Sequence, residues 1–151
     1  MKSYHHGNLK QELIDCASKM CERDGYTKLS IRSLAKESNV SQTAPYRHFK
    51  TKEDLYAEIA TEGFNKLHKT ISKNQSNDPE KNLTVGAKAY IQFGLNNANT
   101  YDLMFGTAVP DFTKYPSLFQ SANKTYLHIR TKFNEFSKIK DQKLIEEKCV
   151  Y

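Results

Sequence analysis

Leu55, Ile59, Gly63, Leu67 and Ile71 recur at four-residue intervals, and a stripe of that period can face one buried surface only on an α-helix. Thr51 precedes the stripe as an N-cap, with Asp54 three residues on in the capping-box place and Glu53 favourable in the first turn. So long an amphipathic helix needs apolar faces to pack on, and the flanking sequence supplies helical ones. From Asn8 the series Leu9, Leu13, Ala17 and Met20, with Ile14 and Cys21 beside it, describes a first helix. Asp24-Gly25 ends it, Gly25 suiting a left-handed C-cap. Ser30 caps a short second helix with inner face Ile31, Leu34 and Ala35. Asn39 supplies a turn, and Ser41 caps a third helix running to about Phe49, which makes the four-residue stripe the fourth.

Beyond a polar linker, "SKNQSNDPEKN", Pro79 suits the first turn of a fifth helix carrying Leu83, Ala87, Tyr90, Ile91 and Phe93. Asn96 to Thr100 reads as a breaker run. "YDLMFG" is a short helix stopped by Gly106, and Pro110 and Pro116 flank an irregular connection. From Ser117 the series Leu118, Ala122, Tyr126, Ile129 and Phe133 predicts a last helix. No segment alternates apolar with polar residues, so the expected fold class is all-α.

At 151 residues, with 38% apolar and 26% charged side chains, the chain falls among soluble globular proteins. It has no apolar run long enough to span a membrane and no secretory signal at "MKSYHHGNLKQ", so a cytoplasmic location is expected. The net charge of +6 suits a polyanion partner, yet it is spread evenly over the two halves. Local clustering decides the matter. From Ser41 to Lys52 there are Arg47, Lys50 and Lys52 with His48, and no acid.

That stretch holds the third predicted helix. Two short helices joined by a tight turn, with another helix packed across them, make the helix-turn-helix plan, whose second helix enters a DNA major groove. Gln42 and Thr43 can hydrogen-bond bases, while Tyr46, Arg47 and His48 suit phosphates or bases. Backbone N–H groups at Ser30 and Lys52 can hold phosphates at helix N-termini. Arg32, Ser41 and Lys50 complete the candidate contact set, and Phe49 is expected to point into the core. Pro45, as the fourth residue of the third helix, forfeits about one intrahelical bond and is expected to stiffen the first turn without breaking the helix.

At these residues the chain resembles the TetR family of bacterial transcriptional repressors. The likeness runs from about Leu9 to Ile59 through "GYTKLSIRSLAKESNVS" and "YRHFKTKEDLY", matching Tyr-x-His-Phe-x-x-Lys-x-x-Leu in order and spacing. "YHHGNLKQELI" with "APYRHF" resembles the subgroup named for a WHG C-terminal domain, although the chain has no tryptophan. The resemblance implies a DNA-binding domain at 1–52, joined by the long helix to an effector-binding and dimerisation domain at 53–151. It also implies a homodimer on palindromic double-stranded DNA, released by a small-molecule effector, with no cofactor. Thr43 stands where the family often has glycine, and Pro45 where it is usually apolar. The family's C-terminal region usually continues past this length, so a shortened chain is expected, its charged tail "SKIKDQKLIEEKCVY" standing where dimer helices would lie. The competing reading is a protein-interaction module, pairing with a full-length relative, or an inactive remnant.

Phe64, Tyr90, Phe93, Phe105, Phe119 and Tyr126 are the candidate lining of an apolar effector pocket, with His128 and Asp102 as polar contacts. Such aromatics also serve as plain core. Lys2, Tyr4, His5 and His6 read either as an arm along DNA or as a frayed end. Cys16, Cys21 and Cys149 lack zinc-like spacing and read as small, buried or half-buried thiols. There is no nucleophile elbow, no glycine-rich phosphate loop and no metal-ligand spacing, so no catalytic role is expected.

Overall fold

A computed structural model describes residues 8–73 and 76–137. The arm at Lys2 to His6, the tail from 138 and Cys149 lie outside the described residues. Six helices follow in order: α1 (Leu9–Asp24), α2 (Ile31–Glu37), α3 (Lys52–Ile71), α4 (Pro79–Asn96), α5 (Ala98–Phe105) and α6 (Pro116–Ser137). Short 3-10 turns occupy Tyr26–Lys28, Pro45–Arg47 and Phe112–Lys114, and no strand occurs among the described residues. The all-α expectation holds.

The ends of the elements have local causes. Gly25, at φ 83°, closes α1 by donating its N–H to the Cys21 carbonyl at 2.8 Å. Ser30 and Ser33 cap α2 reciprocally, Ser33 N–H donating to Ser30 Oγ at 3.0 Å and Ser30 N–H to Ser33 Oγ at 2.9 Å. Asn39 ends that helix in the left-handed region at φ 53°, with Val40 N–H reaching back to the Ala35 carbonyl at 3.0 Å. Thr51 and Asp54 form the second reciprocal cap, opening α3. Asp78 caps α4 ahead of Pro79.

α3 is the axis of the molecule. Leu55, Ile59 and Leu67, all at most 1% exposed, share one apolar cluster with Leu13 and Ala17 of α1, Leu34 of α2, Phe93 of α4, Leu103 of α5 and Leu118 of α6. Each fully buried Leu or Ile contributes on the order of 1.5–3 kcal/mol, so this axis dominates the stability of the fold. Gly63 is the point of closest approach: a Cβ there would lie 2.5 Å from Met104 Sδ and 3.2 Å from Thr100 Cγ2 of α5.

Two segments differ from expectation. The third predicted helix, Ser41 to Phe49, is a turn followed by the 3-10 turn Pro45–Arg47. Pro45 has no N–H to give the Ser41 carbonyl, which takes the Ala44 N–H at 3.0 Å instead, a tighter bond one residue shorter than the α-helical one. The proline therefore converts the helix rather than merely stiffening it, and its ring is fully buried. Ser41, expected as an N-cap, places its hydroxyl 3.3 Å from that of Thr43. The breaker run at 96–100 is shorter than expected. α5 begins at Ala98, because Glu22 of α1 caps it from outside, its carboxylate accepting from the Thr100 N–H at 3.0 Å and hydroxyl at 2.8 Å.

Candidate nucleic-acid interface

The predicted contact residues fall on one continuous stretch and on the starts of α2 and α3. Phe49 and Pro45 are buried, and they anchor the turn that carries the others. Between them Tyr46 is 53% exposed, and Arg47 and His48 are exposed, as are Ser41, Gln42, Thr43, Lys50 and Lys52. Arg32 is exposed in the first turn of α2, and Ser30 is half-buried in its capping box. Anchored apolar side chains thus hold a polar, cationic rim in water.

What sets this rim apart is the run of cations from Arg47 to Lys52 with no acid among them. Elsewhere some cations are paired, Lys10 with Glu58, Arg23 with Glu37 and Asp24, and Lys132 with Glu135. None of the described ion pairs takes Arg32, Arg47 or Lys50, which remain available to a polyanion without first breaking a bridge. Lys52 is held differently. Its ammonium lies 5.3 Å from the centre of the Tyr56 ring and donates to the Thr27 carbonyl at 3.3 Å. Tyr56 is fixed in turn by donating its hydroxyl to the Tyr26 carbonyl at 2.7 Å and by meeting the Tyr26 ring edge-on.

The Ser30 N–H, expected to face a phosphate, is committed to Ser33 Oγ. The open first-turn donors are those of Ile31 and Arg32 in α2 and of Lys52 and Glu53 in α3, the positions that a helix itself leaves without partners.

One contact and one small cleft behind the rim had no signal in the sequence. Tyr115, just before α6, donates its hydroxyl to the capping carboxylate of Asp54 at 3.4 Å. Burial and the carboxylates of Glu53 and Asp54 push the Tyr115 phenol up to about 12. His48 borders the same small cleft, with Glu58, Thr61 and Leu118. The Tyr115–Asp54 contact joins residues 61 positions apart in the chain, beyond what local periodicity can report.

The aromatic set expected to line one effector pocket is dispersed. Phe64 is buried, meeting Phe105 and Phe112 edge-on at 5.3 and 6.0 Å. Phe93 is core, Phe119 is 49% exposed, and Tyr126 lies under the Arg130 guanidinium at 5.7 Å. Asp102 is exposed on α5. An open cavity of about 350 Å³ does exist, between α4, α6 and the end of α3, and of the six only Tyr90 lines it. His128 lines it too, as one of the two expected polar contacts. Its walls are largely aliphatic (Ile71, Leu83, Ala87, Ile91 and Ile129), which a search for aromatic side chains passes over.

Cys21 is buried, with its thiol pushed up to about 11 by burial and Glu22, and Cys16 is half-buried, as expected of structural thiols. Among the described residues no cluster of metal-ligating side chains occurs, and no helix is long and apolar enough to cross a membrane.

Residues 13–59 match the family described as bacterial regulatory proteins, tetR family. The chain is 24% identical over 97 residues to the uncharacterized HTH-type transcriptional regulator YobS of Bacillus subtilis (strain 168), an overlap of 64% of this chain and 51% of that protein. It is 30% identical over 67 residues to an uncharacterized HTH-type transcriptional regulator of Haemophilus influenzae, covering 44% of this chain and 36% of that one. The chain thus spans about half or less of the curated relatives it matches. Among solved structures, a protein of unknown function from Rhodococcus sp. RHA1 superposes with a TM-score of 0.72 at 25% identity, over 89% of this chain and 71% of that one. The TetR family transcriptional regulator PfmR of Thermus thermophilus does so at 0.64 and 19%, over 85% and 74%.

Proposed function

We propose, from the match of residues 13–59 to the tetR family of bacterial regulatory proteins, that the protein is a DNA-binding transcription regulator rather than an enzyme. It acts in the cytoplasm as a repressor, binds a palindromic operator as a homodimer, and lets go when a small molecule enters its C-terminal helices. The observation that carries the reading is the acid-free rim from Gln42 to Lys52, exposed and unbridged, on a turn anchored by buried Pro45 and Phe49.

Arg32, Arg47, Lys50 and Lys52 supply salt-dependent phosphate affinity, with the first-turn N–H groups of α2 and α3 beside them. Gln42, Thr43 and Tyr46 read bases, with Ser41 and His48 at the edges of the contact. Because the reading segment is a 3-10 turn and not a full helix, its side chains fan out more tightly. Two such segments must sit about 34–36 Å apart to read successive major grooves, which requires a pair of chains. Exposed apolar side chains, among them Leu95 at 71% and Ile91 at 62%, support pairing.

The effector enters the cavity between α4 and α6. A ligand that prefers one spacing of those helices shifts the population of α3 orientations and with it the reading segment, a coupling through one shared helix. The test is fluorescence anisotropy against a duplex library over a salt series. A selected palindrome bound by two chains, with a steep salt slope, supports the reading; strictly monomeric protein with only weak, sequence-blind binding favours the interaction module instead.

A further inference from the structure

The cavity between α4 and α6 carries polar side chains as well as its aliphatic walls, and their existing partners limit what it can hold. Asn82 is largely committed: its carbonyl oxygen accepts from the Ser76 N–H and hydroxyl, and one of its two amide N–H groups donates to the Ser76 carbonyl. The Tyr90 hydroxyl is paired with that of Tyr101 at 2.9 Å. The Lys132 ammonium is bridged to Glu135 at 3.0 Å, with its side chain only 21% exposed. Of the polar side chains lining the space, His128 is the one that brings a ring nitrogen to the wall.

An anionic guest would meet Lys132 with its charge already offset by Glu135. A cationic guest would meet Lys132 with no carboxylate among the lining residues to receive it. Either charge would give up part of its hydration against a largely apolar wall without gaining an uncompensated opposite charge. His128 is kept neutral, its imidazole lowered by burial and by Lys132, and it donates toward the Ile71 carbonyl. A neutral imidazole with one nitrogen donating has the other as an acceptor. A cavity of about 350 Å³ is at the small end of ligand sites, suited to a compact ring system.

The geometry points to an uncharged, compact, apolar ligand bearing a single hydroxyl that donates to His128, such as a phenol or a cyclic alcohol. This deepens the effector reading of the cavity and depends on it, but it does not depend on DNA binding.

Four probes sharing one apolar body test it by calorimetric titration of the full chain without DNA: 2-naphthol, naphthalene, 2-naphthoate and 1-naphthylmethylammonium. 2-Naphthol is expected to bind about tenfold tighter than each of the others. His128→Phe removes that advantage while leaving naphthalene affinity unchanged, and the retained naphthalene binding reports that the variant folds. Ala87→Leu, at an exposed wall position, weakens 2-naphthol and naphthalene alike by filling the space. Tightest binding of 2-naphthoate or of the ammonium, equal binding of all four, binding of none, or a hydroxyl preference that survives His128→Phe would each overturn the inference. Operator binding is measured separately: if it fails while 2-naphthol is preferred, the regulator reading falls and the ligand class stands.

Discussion

At Gln42 and Tyr46 the proposed base contacts can be tested apart from folding, since both side chains stand in solvent while Pro45 and Phe49 beside them fill the core. Gln42→Ala and Tyr46→Ala should each cost about 1–3 kcal/mol of discrimination between operator and random duplex, with the thermal midpoint unchanged. Arg47→Ala should weaken all duplexes alike and lower the salt slope by about one. Anisotropy on matched and scrambled duplexes at several salt concentrations distinguishes the two patterns. The exposure of Gln42 and Arg47 was legible from their polar side chains. The geometry of the turn was less so. Removing an N–H at Pro45 is a local loss, but the resulting choice between α-helical and 3-10 bonding depends on the core that receives the ring.

Among the elements, α3 has the sharpest requirements at its start and its middle. Thr51→Ala removes the acceptor for the Asp54 N–H and should cost about 1 kcal/mol by denaturant titration. The loss should also free Asp54 from its place beside Tyr115, so the Tyr115 phenol should titrate lower in the variant. Gly63→Val should cost about 1–3 kcal/mol, because Met104 is 1% exposed and has no room to withdraw. Met104→Ala in the same chain should recover part of that cost, whereas additive losses would mean that the two helices do not meet at this point. The caps of α2 and α3 were plain in the sequence, since a capping box acts over three residues. The start of α5 was hidden, because its cap, Glu22, lies in a different helix.

For the molecule as a whole, two partly buried histidines tie stability to acid pH. His68 is held below the usual value near 6.5 by burial, then by Lys124 and by His128, whose ring stands edge-on 5.2 Å away. His128 is held below it by burial and Lys132, against the Ile71 carbonyl and Glu135. The unfolded chain therefore takes up these protons at a higher pH than the folded one. Their contribution is complete above about pH 6.5 and is lost as the pH falls below it. Melting temperature should be flat from about pH 7 to 8 and fall towards pH 5.5, less steeply in a His68→Gln, His128→Gln variant. Sedimentation should show a pair of chains. Neither the histidine contact nor the cavity could be read from periodicity, which reports which face of a helix is buried and not which helix covers it.

Glu22 fastens the end of α1 to the start of α5, and Asn99 donates to the Glu22 carbonyl at 2.7 Å beside it. The part of the chain that matches a reading head therefore cannot melt alone, since loosening it uncaps a helix belonging to the other part. Calorimetry should show one heat-absorption peak, with equal calorimetric and van't Hoff enthalpies.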